Sequence, residues 1–175
     1  YEAIQSVWFV HILHALDDER CAGMGPGRPD QYLYPYYERD IEKGRITKEE
    51  AQELIDCWFM RYSQYYMIWR SDAGAYGTVT PHTPGHHIEV GGLKPDGTDG
   101  ANELSYMFIE AMMHTPGMTE PTLSLAVHSK TPEDLLIKAC QLTSLGGGYP
   151  MFINHDLMVE SLLARNEIMD GPPIT

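Results

Sequence analysis

The sequence predicts an α/β fold built on parallel strands. Two observations carry this expectation. From residue 87 onward, short alternating or apolar runs are separated by stretches of helical periodicity, in the order strand, helix, strand, helix, strand, helix. Strands separated by helices form parallel βαβ units, with right-handed crossovers and the helices outside. Before residue 87, apolar residues recur at helical spacing instead. The chain has 175 residues, 43% apolar and 21% charged, which suits one domain with a substantial core. No repeat, low-complexity tract or linker divides it, so residues 1–175 are expected to be part of one domain without an internal boundary.

Residues 1–16 place Ile4, Val7, Trp8, Ile12, Leu13 and Leu16 close to an i, i+3, i+4, i+7 stripe, the mark of a buried amphipathic helix. His11 and His14 lie three apart on it, a spacing able to chelate a metal. No carboxylate or third histidine stands at a suitable offset, so no metal site is expected there. A break at Gly23, Gly25, Pro26 and Gly27 leads into GRPDQYLYPYY, residues 27–37. Tyr32, Tyr36 and Tyr37 recur at i, i+4 and i+5 of a helix beginning near Asp30, and such a stripe is expected to pack into the core. Gly44 closes that helix. Thr47-Lys-Glu-Glu50 forms a capping box for the next one, which carries Ala51, Leu54, Ile55, Trp58 and Phe59 on one face to about residue 66.

Residues 69–87, WRSDAGAYGTVTPHTPGHH, break the periodicity and are a loop by composition. Arg70, Ser71, Asp72, His82, His86 and His87 concentrate hydrogen-bonding and titratable chemistry there. A zinc site can be drawn from His82, His86, His87 and Asp72, but the intervening prolines and glycines enforce no geometry. A triad can be drawn from Ser71, His82 and Asp72, but a serine adjacent to its acid is a poor arrangement and no GxSxG elbow is present. A substrate-lining loop beside a strand end is the favoured reading. A short strand, 87–90, follows and ends at Gly91-Gly92.

Asp96-Gly97 marks a surface turn. Asn102 opens a helix, ELSYMFIEAMMH, with Leu104, Met107, Phe108, Ala111 and Met112 inward. Residues 121–127 alternate as a strand, with Leu123, Leu125 and Val127 on one side and Thr122, Ser124 and Ala126 on the other. Thr131 as cap, Pro132 at the first position and two early acids start the next helix. Gly146-Gly147-Gly148 ends it. This triple glycine follows a helix and lacks the Lys-Ser/Thr of a phosphate loop. Residues 149–153 form the third strand, followed by Asn154, His155 and Asp156, and a last helix spans about 157–169. In parallel α/β folds, chemistry gathers at the carboxyl ends of strands, which here hold Gly91, Gly92 and residues 154–156.

The net charge of −13 argues against nucleic acid or an anionic membrane surface as partner. No apolar run reaches the length of a membrane span, and no signal-peptide pattern is recognisable. Cys21, Cys57 and Cys140 are odd in number and lack CxxC spacing, which fits a reducing, cytoplasmic setting. Each falls in or beside a helix and is expected to act as a small buried hydrophobe. The chain starts at Tyr1 inside a helical pattern and stops after Gly-Pro-Pro-Ile-Thr, which suggests an internal piece of a longer protein.

Five blocks in register carry a resemblance over nearly the whole chain: EAIQSVWF, GRPDQYLYPYYERDIEKGRITKEEAQELIDC, IEVGGLKPDGTDGANELSYMFIEAM, PTLSLAVHSKTPEDLLIKA and MFINHD. Together they resemble the pyruvate formate-lyase-like glycyl radical enzymes. The resemblance implies part of a ten-stranded α/β barrel around a thiyl-radical site, with about three strands and several outer helices supplied by this chain. It implies an activase, using S-adenosylmethionine and an iron–sulfur cluster, that installs a radical on a C-terminal glycine. That radical passes to a cysteine, which abstracts hydrogen from a small-molecule substrate. An anaerobic, cytoplasmic setting and a homodimer are also implied. Cys21, Cys57 and Cys140 match none of the family's radical motifs, so the radical Cys and Gly are expected outside this chain, which alone would be inactive.

GLKPDGTDGANEL is similar to the arylacetate decarboxylase branch, and dehydratases share much of the same text. The implied activity is cleavage of a C–C or C–X bond by such a decarboxylase or a dehydratase. A formate C-acetyltransferase, a C–N lyase, an inactive barrel scaffold and a His-rich metal-dependent lyase are the alternatives. The substrate-binding candidates are Arg70, Ser71, Asp72, His82 and His86, with Asn154 at a strand end. Arg70 or Ser71 would hold a substrate carboxylate, and a histidine would move a proton.

Overall fold

A computed structural model describes residues 1–17, 24–65 and 85–165 of the chain. Within them the elements are α1 (Glu2–Asp17), α2 (Pro29–Tyr32), α3 (Tyr34–Glu42), α4 (Lys48–Tyr65), β1 (His87–Gly91), α5 (Glu103–His114), β2 (Thr122–Val127), α6 (Glu133–Ser144), β3 (Met151–Asn154) and α7 (His155–Ala164). The three strands form one parallel sheet in the order β1-β2-β3. The alternation of strands and helices read from the sequence is therefore a consecutive βαβαβ path, each crossover carried by one helix.

The register pairs Ile88 with Leu123, Glu89 with Ser124 and Val90 with Leu125. It pairs Ser124 with Met151 and Val127 with Asn154. Ile88, Val90, Leu123 and Leu125 join Phe59, Tyr62, Phe108, Ile109, Leu135 and Ala139 in one buried core. Period-two alternation thus gives the sheet one apolar face, packed on helices, and one face carrying His87, Glu89, Thr122 and Ser124. Trp58, Phe59 and Phe108 meet at ring-centroid distances of 5.6 to 5.9 Å, where α4 crosses α5.

An extended segment at residues 24–27 flanks β1 on its other side. His87 N–H donates to Met24 O and Glu89 N–H to Gly27 O, each at 3.0 Å, with a parallel bridge between Gly27 and Ile88. Its Gly/Pro composition reads as a break, but the close approach explains the glycine. A Cβ on Gly25 would stand 1.9 Å from His87 O.

Several local expectations are corrected. The tyrosine stripe is not one helix face: the backbone is interrupted at Leu33, before Pro35, and only Tyr37 is buried while Tyr32 and Tyr36 are exposed. Tyr37 donates to Glu103 at 2.8 Å and Tyr32 to Pro26 O at 3.0 Å, so both phenols have partners. Cys57 and Cys140 are exposed, because they fall opposite the apolar stripes of α4 and α6. Cys21 lies outside the described residues. Thr131 does not cap α6. Its hydroxyl turns back to accept the His128 N–H at 2.9 Å, and Pro132 takes the capping position without a side-chain bond. The Thr47/Glu50 capping box forms with both reciprocal bonds, at 2.8 and 3.2 Å.

Candidate functional site

The polar face of the sheet is where chemistry-bearing side chains converge. Glu89 leaves the middle of β1 on this face, and His155 reaches it from the first turn of α7. His155 Nδ1 accepts the Leu93 N–H at 3.2 Å, so that nitrogen carries the lone pair. Its Nε2 therefore bears the proton and donates to Glu89 Oε1, also at 3.2 Å. Burial pushes the Glu89 carboxyl up, but the His155 hydrogen bond and nearby positive charge outweigh it and hold the group below the usual carboxylate range. Beside Glu89 on the same face, Ser124 is fully buried and its Oγ has no hydrogen-bond partner among the described residues. His87 Nδ1 and Thr122 Oγ1, 3.2 Å apart, continue the polar row toward the amino ends of the strands.

Gly92 makes this arrangement possible. Its φ is +80°, and a Cβ there would lie 2.5 Å from His155 Cε1 and 2.9 Å from the Ala126 Cβ. The imidazole occupies the volume that any other residue would fill. The Gly91-Gly92 turn is held from below by the GRPDQ segment. Arg28 donates to the carbonyls of Gly91 and Leu93. Asp30, fully buried, accepts the Gly91 N–H and the Ser105 hydroxyl, both at 2.7 Å. Gln31 donates to Gly100 O at 2.7 Å, and Asn102 Nδ2 to Asp30 O at 3.0 Å. Burial raises the Asp30 carboxyl to about 6, against the lowering effect of its Ser105 and Gly91 bonds.

The amino end of β1 holds a second cluster. His11 Nε2 and His86 Nδ1 are 2.8 Å apart, and both rings stack edgewise or tilted on Tyr62. Burial foremost, then His14 for His11 and His11 for His86, lowers both to about 4, so the pair is neutral near pH 7. The His86 N–H donates to Glu120 at 2.8 Å. His11 thus faces the core while His14 is exposed, and no group of three or more metal-ligating side chains forms among the described residues.

Of the candidates from sequence, Arg70, Ser71, Asp72 and His82 lie outside the described residues. His86 sits at the amino end of β1 and Asn154 at the carboxyl end of β3, so the sheet separates them. Asn154 caps α7, its Oδ1 accepting the Leu157 N–H at 3.0 Å. Sequence reasoning missed Glu89, Ser124, Asp30 and Ser105. The alternation of β2 already placed Ser124 opposite the leucines, and a charged residue inside the apolar run HIEV was the available signal for Glu89.

The family model for pyruvate formate lyase-like proteins matches residues 1–170. The chain belongs to this family. The 4-hydroxyphenylacetate decarboxylase glycyl radical subunit of Clostridioides difficile is 40% identical over 156 residues, 88% of this chain and 17% of that protein. Isethionate sulfite-lyase of Oleidesulfovibrio alaskensis is 35% identical over 94% of the chain and 20% of its own length. Among solved structures, the glycerol-bound B12-independent glycerol dehydratase of Clostridium butyricum superposes with a TM-score of 0.79 at 33% identity, covering 94% of this chain and 20% of that one. The chain thus spans about a fifth of the length of the pyruvate formate lyase-like relatives it matches, and its sheet and helices are those of a glycyl radical enzyme barrel.

Proposed function

We propose that residues 1–175 form an uninterrupted part of the catalytic domain of a glycyl radical enzyme. It cleaves a C–C or C–X bond of a small organic substrate, in the decarboxylase or dehydratase class. The observation that carries this reading is the 40% identity, over 88% of the chain, to the glycyl radical subunit of a decarboxylase. A protein-derived glycyl radical, installed by an activase with S-adenosylmethionine and an iron–sulfur cluster, would supply hydrogen-atom abstraction through a cysteine thiyl. Cys57 and Cys140 sit on exposed helix faces and do not line the polar face, so neither thiol suits that role.

The chain's own share is shape and polarity. Its helices back the sheet, the Gly91-Gly92 turn aims the Glu89–His155 pair, and the polar row faces the enclosed side. Arg70, Ser71, Asp72, His82 and His86, which precede β1, are assigned to substrate contact, as is Asn154 at the end of β3. A homodimer, an activating-enzyme partner and an anaerobic cytoplasmic setting accompany this reading, supported by the family resemblance. Among the described residues no helix is long and apolar enough to cross a membrane.

The test is activation of the whole protein under strict anaerobiosis, followed by electron paramagnetic resonance and assays of 4-hydroxyphenylacetate, glycerol and isethionate. A glycyl radical doublet with product from a small organic substrate supports the proposal. Failure to form any radical with a competent activase overturns it.

A further inference from the structure

The helix α1 is apolar on more than one side. Between Glu2 and Asp17 it carries no Asp, Glu, Lys or Arg. One side faces inward: Ala3, Ile4, Val7 and Trp8 pack on the core, and His11 is buried against His86 and Tyr62. The other side is a second stripe, Ser6, Phe9, Val10 and Leu13, at the i, i+3, i+4, i+7 spacing of a helix face. Phe9 is 55% exposed, Val10 68% and Leu13 66%. A surface helix keeps charged residues on the face it gives to water, whereas a helix apolar all round is an interior one. Neighbouring large apolar side chains left bare on such a helix mark a contact surface.

The chemistry of the stripe specifies what fits it. It offers no charge, and the Ser6 hydroxyl already donates to Glu2 O at 2.8 Å, so the stripe calls for no polar partner. Its spacing is that of a ridge that seats in the groove of a second helix, and the small Ser6 permits close approach at one end. The matching surface is the apolar face of an amphipathic helix.

Two observations point to the source of that helix. The region matching this chain is 20% of the Clostridium butyricum glycerol dehydratase chain and 17% of the Clostridioides difficile decarboxylase subunit, so in both a unit of this kind is embedded in a much longer polypeptide. In addition, α1 is open along both flanks among the described residues. A cleft of about 480 Å³ separates it from the α3–α4 pair, lined by Tyr1, Ile4, Val7, Leu33, Ile46 and Leu54. A second cleft, of about 610 Å³, is bordered by Val10, His14, Met24 and Pro26. A two-fold partner covers one self-complementary patch. A helix bare on its crest and open on both flanks needs cover from three directions, which a longer chain supplies and a single partner patch does not.

We propose that the Ser6, Phe9, Val10 and Leu13 stripe of α1 is the seat of an amphipathic helix contributed by the same polypeptide from outside residues 1–175. This rests on residues 1–175 being part of the longer catalytic domain proposed above. It makes α1 a middle layer, with the core of the sheet on one side and further chain on the other.

The test replaces Phe9 in the whole protein by photoreactive benzoylphenylalanine and maps the captured peptide by mass spectrometry. Capture within one chain, of a peptide from outside residues 1–175, is the expected result. Capture across two chains, seen as a doubled mass on a denaturing gel, overturns the proposal, as does capture of residues 1–175 alone or no capture at all. Thiol labelling of Leu13→Cys reads burial without photochemistry. In the native whole protein it is expected to be at least about tenfold slower than in urea, and equally slow at low and high protein concentration. Labelling as fast as in urea, or a rate that rises on dilution, overturns the seat. Thermal melting checks that each variant folds, and if the Phe9 variant does not, the Leu13→Cys labelling decides. Neither measurement needs activation. A missing glycyl radical therefore removes the enzyme reading and leaves the seat standing, whereas failed capture in a protein that gains its radical removes the seat alone.

Discussion

Single residues decide the geometry at the end of β1. Gly92→Ala would force a left-handed backbone angle on a residue with a Cβ and drive that atom into the His155 ring. The expected cost is about 2–4 kcal/mol, measured by urea unfolding of the whole protein. Asp30→Ala strands the Gly91 N–H and the Ser105 hydroxyl and should cost about 2–4 kcal/mol, whereas Asp30→Asn keeps an acceptor and should cost much less. The two buried clusters also set opposite pH dependences. Asp30, raised to about 6, stabilises the fold fully below the ordinary carboxyl range, and that contribution is lost as pH rises through about 6. His11 and His86, lowered to about 4, contribute fully above the ordinary imidazole value and lose that contribution as pH falls through about 4. Two histidines outweigh one carboxyl, so unfolding midpoints should rise between pH 4 and pH 6.5, and rise more steeply in Asp30→Asn. None of this could be seen in the sequence, where Asp30 reads as the first acid of a helix and His11 as half of a chelating pair. Burial is a property of what folds over a residue, and here the covering groups come from 60 to 75 positions away.

At the scale of elements, legibility tracks how local the determining interaction is. The α4 capping box, the α5 start at Asn102 and all three strands follow from neighbours within a few residues, and each stands where the pattern places it. Thr131 does not, because its hydroxyl has a competing local partner in the His128 N–H. The flanking segment at residues 24–27 is extended only because β1 lies beside it, and no period in its own composition announces that. The α5 cap is doubly engaged. Asn102 Oδ1 accepts from Leu104 and Ser105, and its amide donates to Asp30 O and Gly100 O. Asn102→Ala should therefore cost about 1–2 kcal/mol, the upper end for a helix cap, read as a lowered urea midpoint with unchanged slope.

The described residues form a piece of barrel wall: an apolar side sealed by α4, α5 and α6, and an opposite side carrying His87, Glu89, Thr122 and Ser124. Family membership was legible because five sequence blocks keep their order and register. The substrate was not, since the residues proposed to contact it are scattered along the chain and not gathered in one motif. Ser71→Ala or His82→Ala in the activated whole protein should lower turnover while glycyl radical content stays at the parental level; unchanged kinetics would remove that loop from substrate contact. One further consequence belongs to β3. Among the described residues it pairs with β2 alone, and Met151 and Phe152 are exposed along it. A chain of this length made by itself would carry an adhesive rim, a row of unpaired peptide groups flanked by bare side chains. Its net charge of −13 would keep copies apart in dilute buffer. Added salt screens that repulsion within about 10 Å at 0.1 M, so the isolated piece should turn turbid as ionic strength rises. Phe152→Lys should keep it clear, a difference read by light scattering.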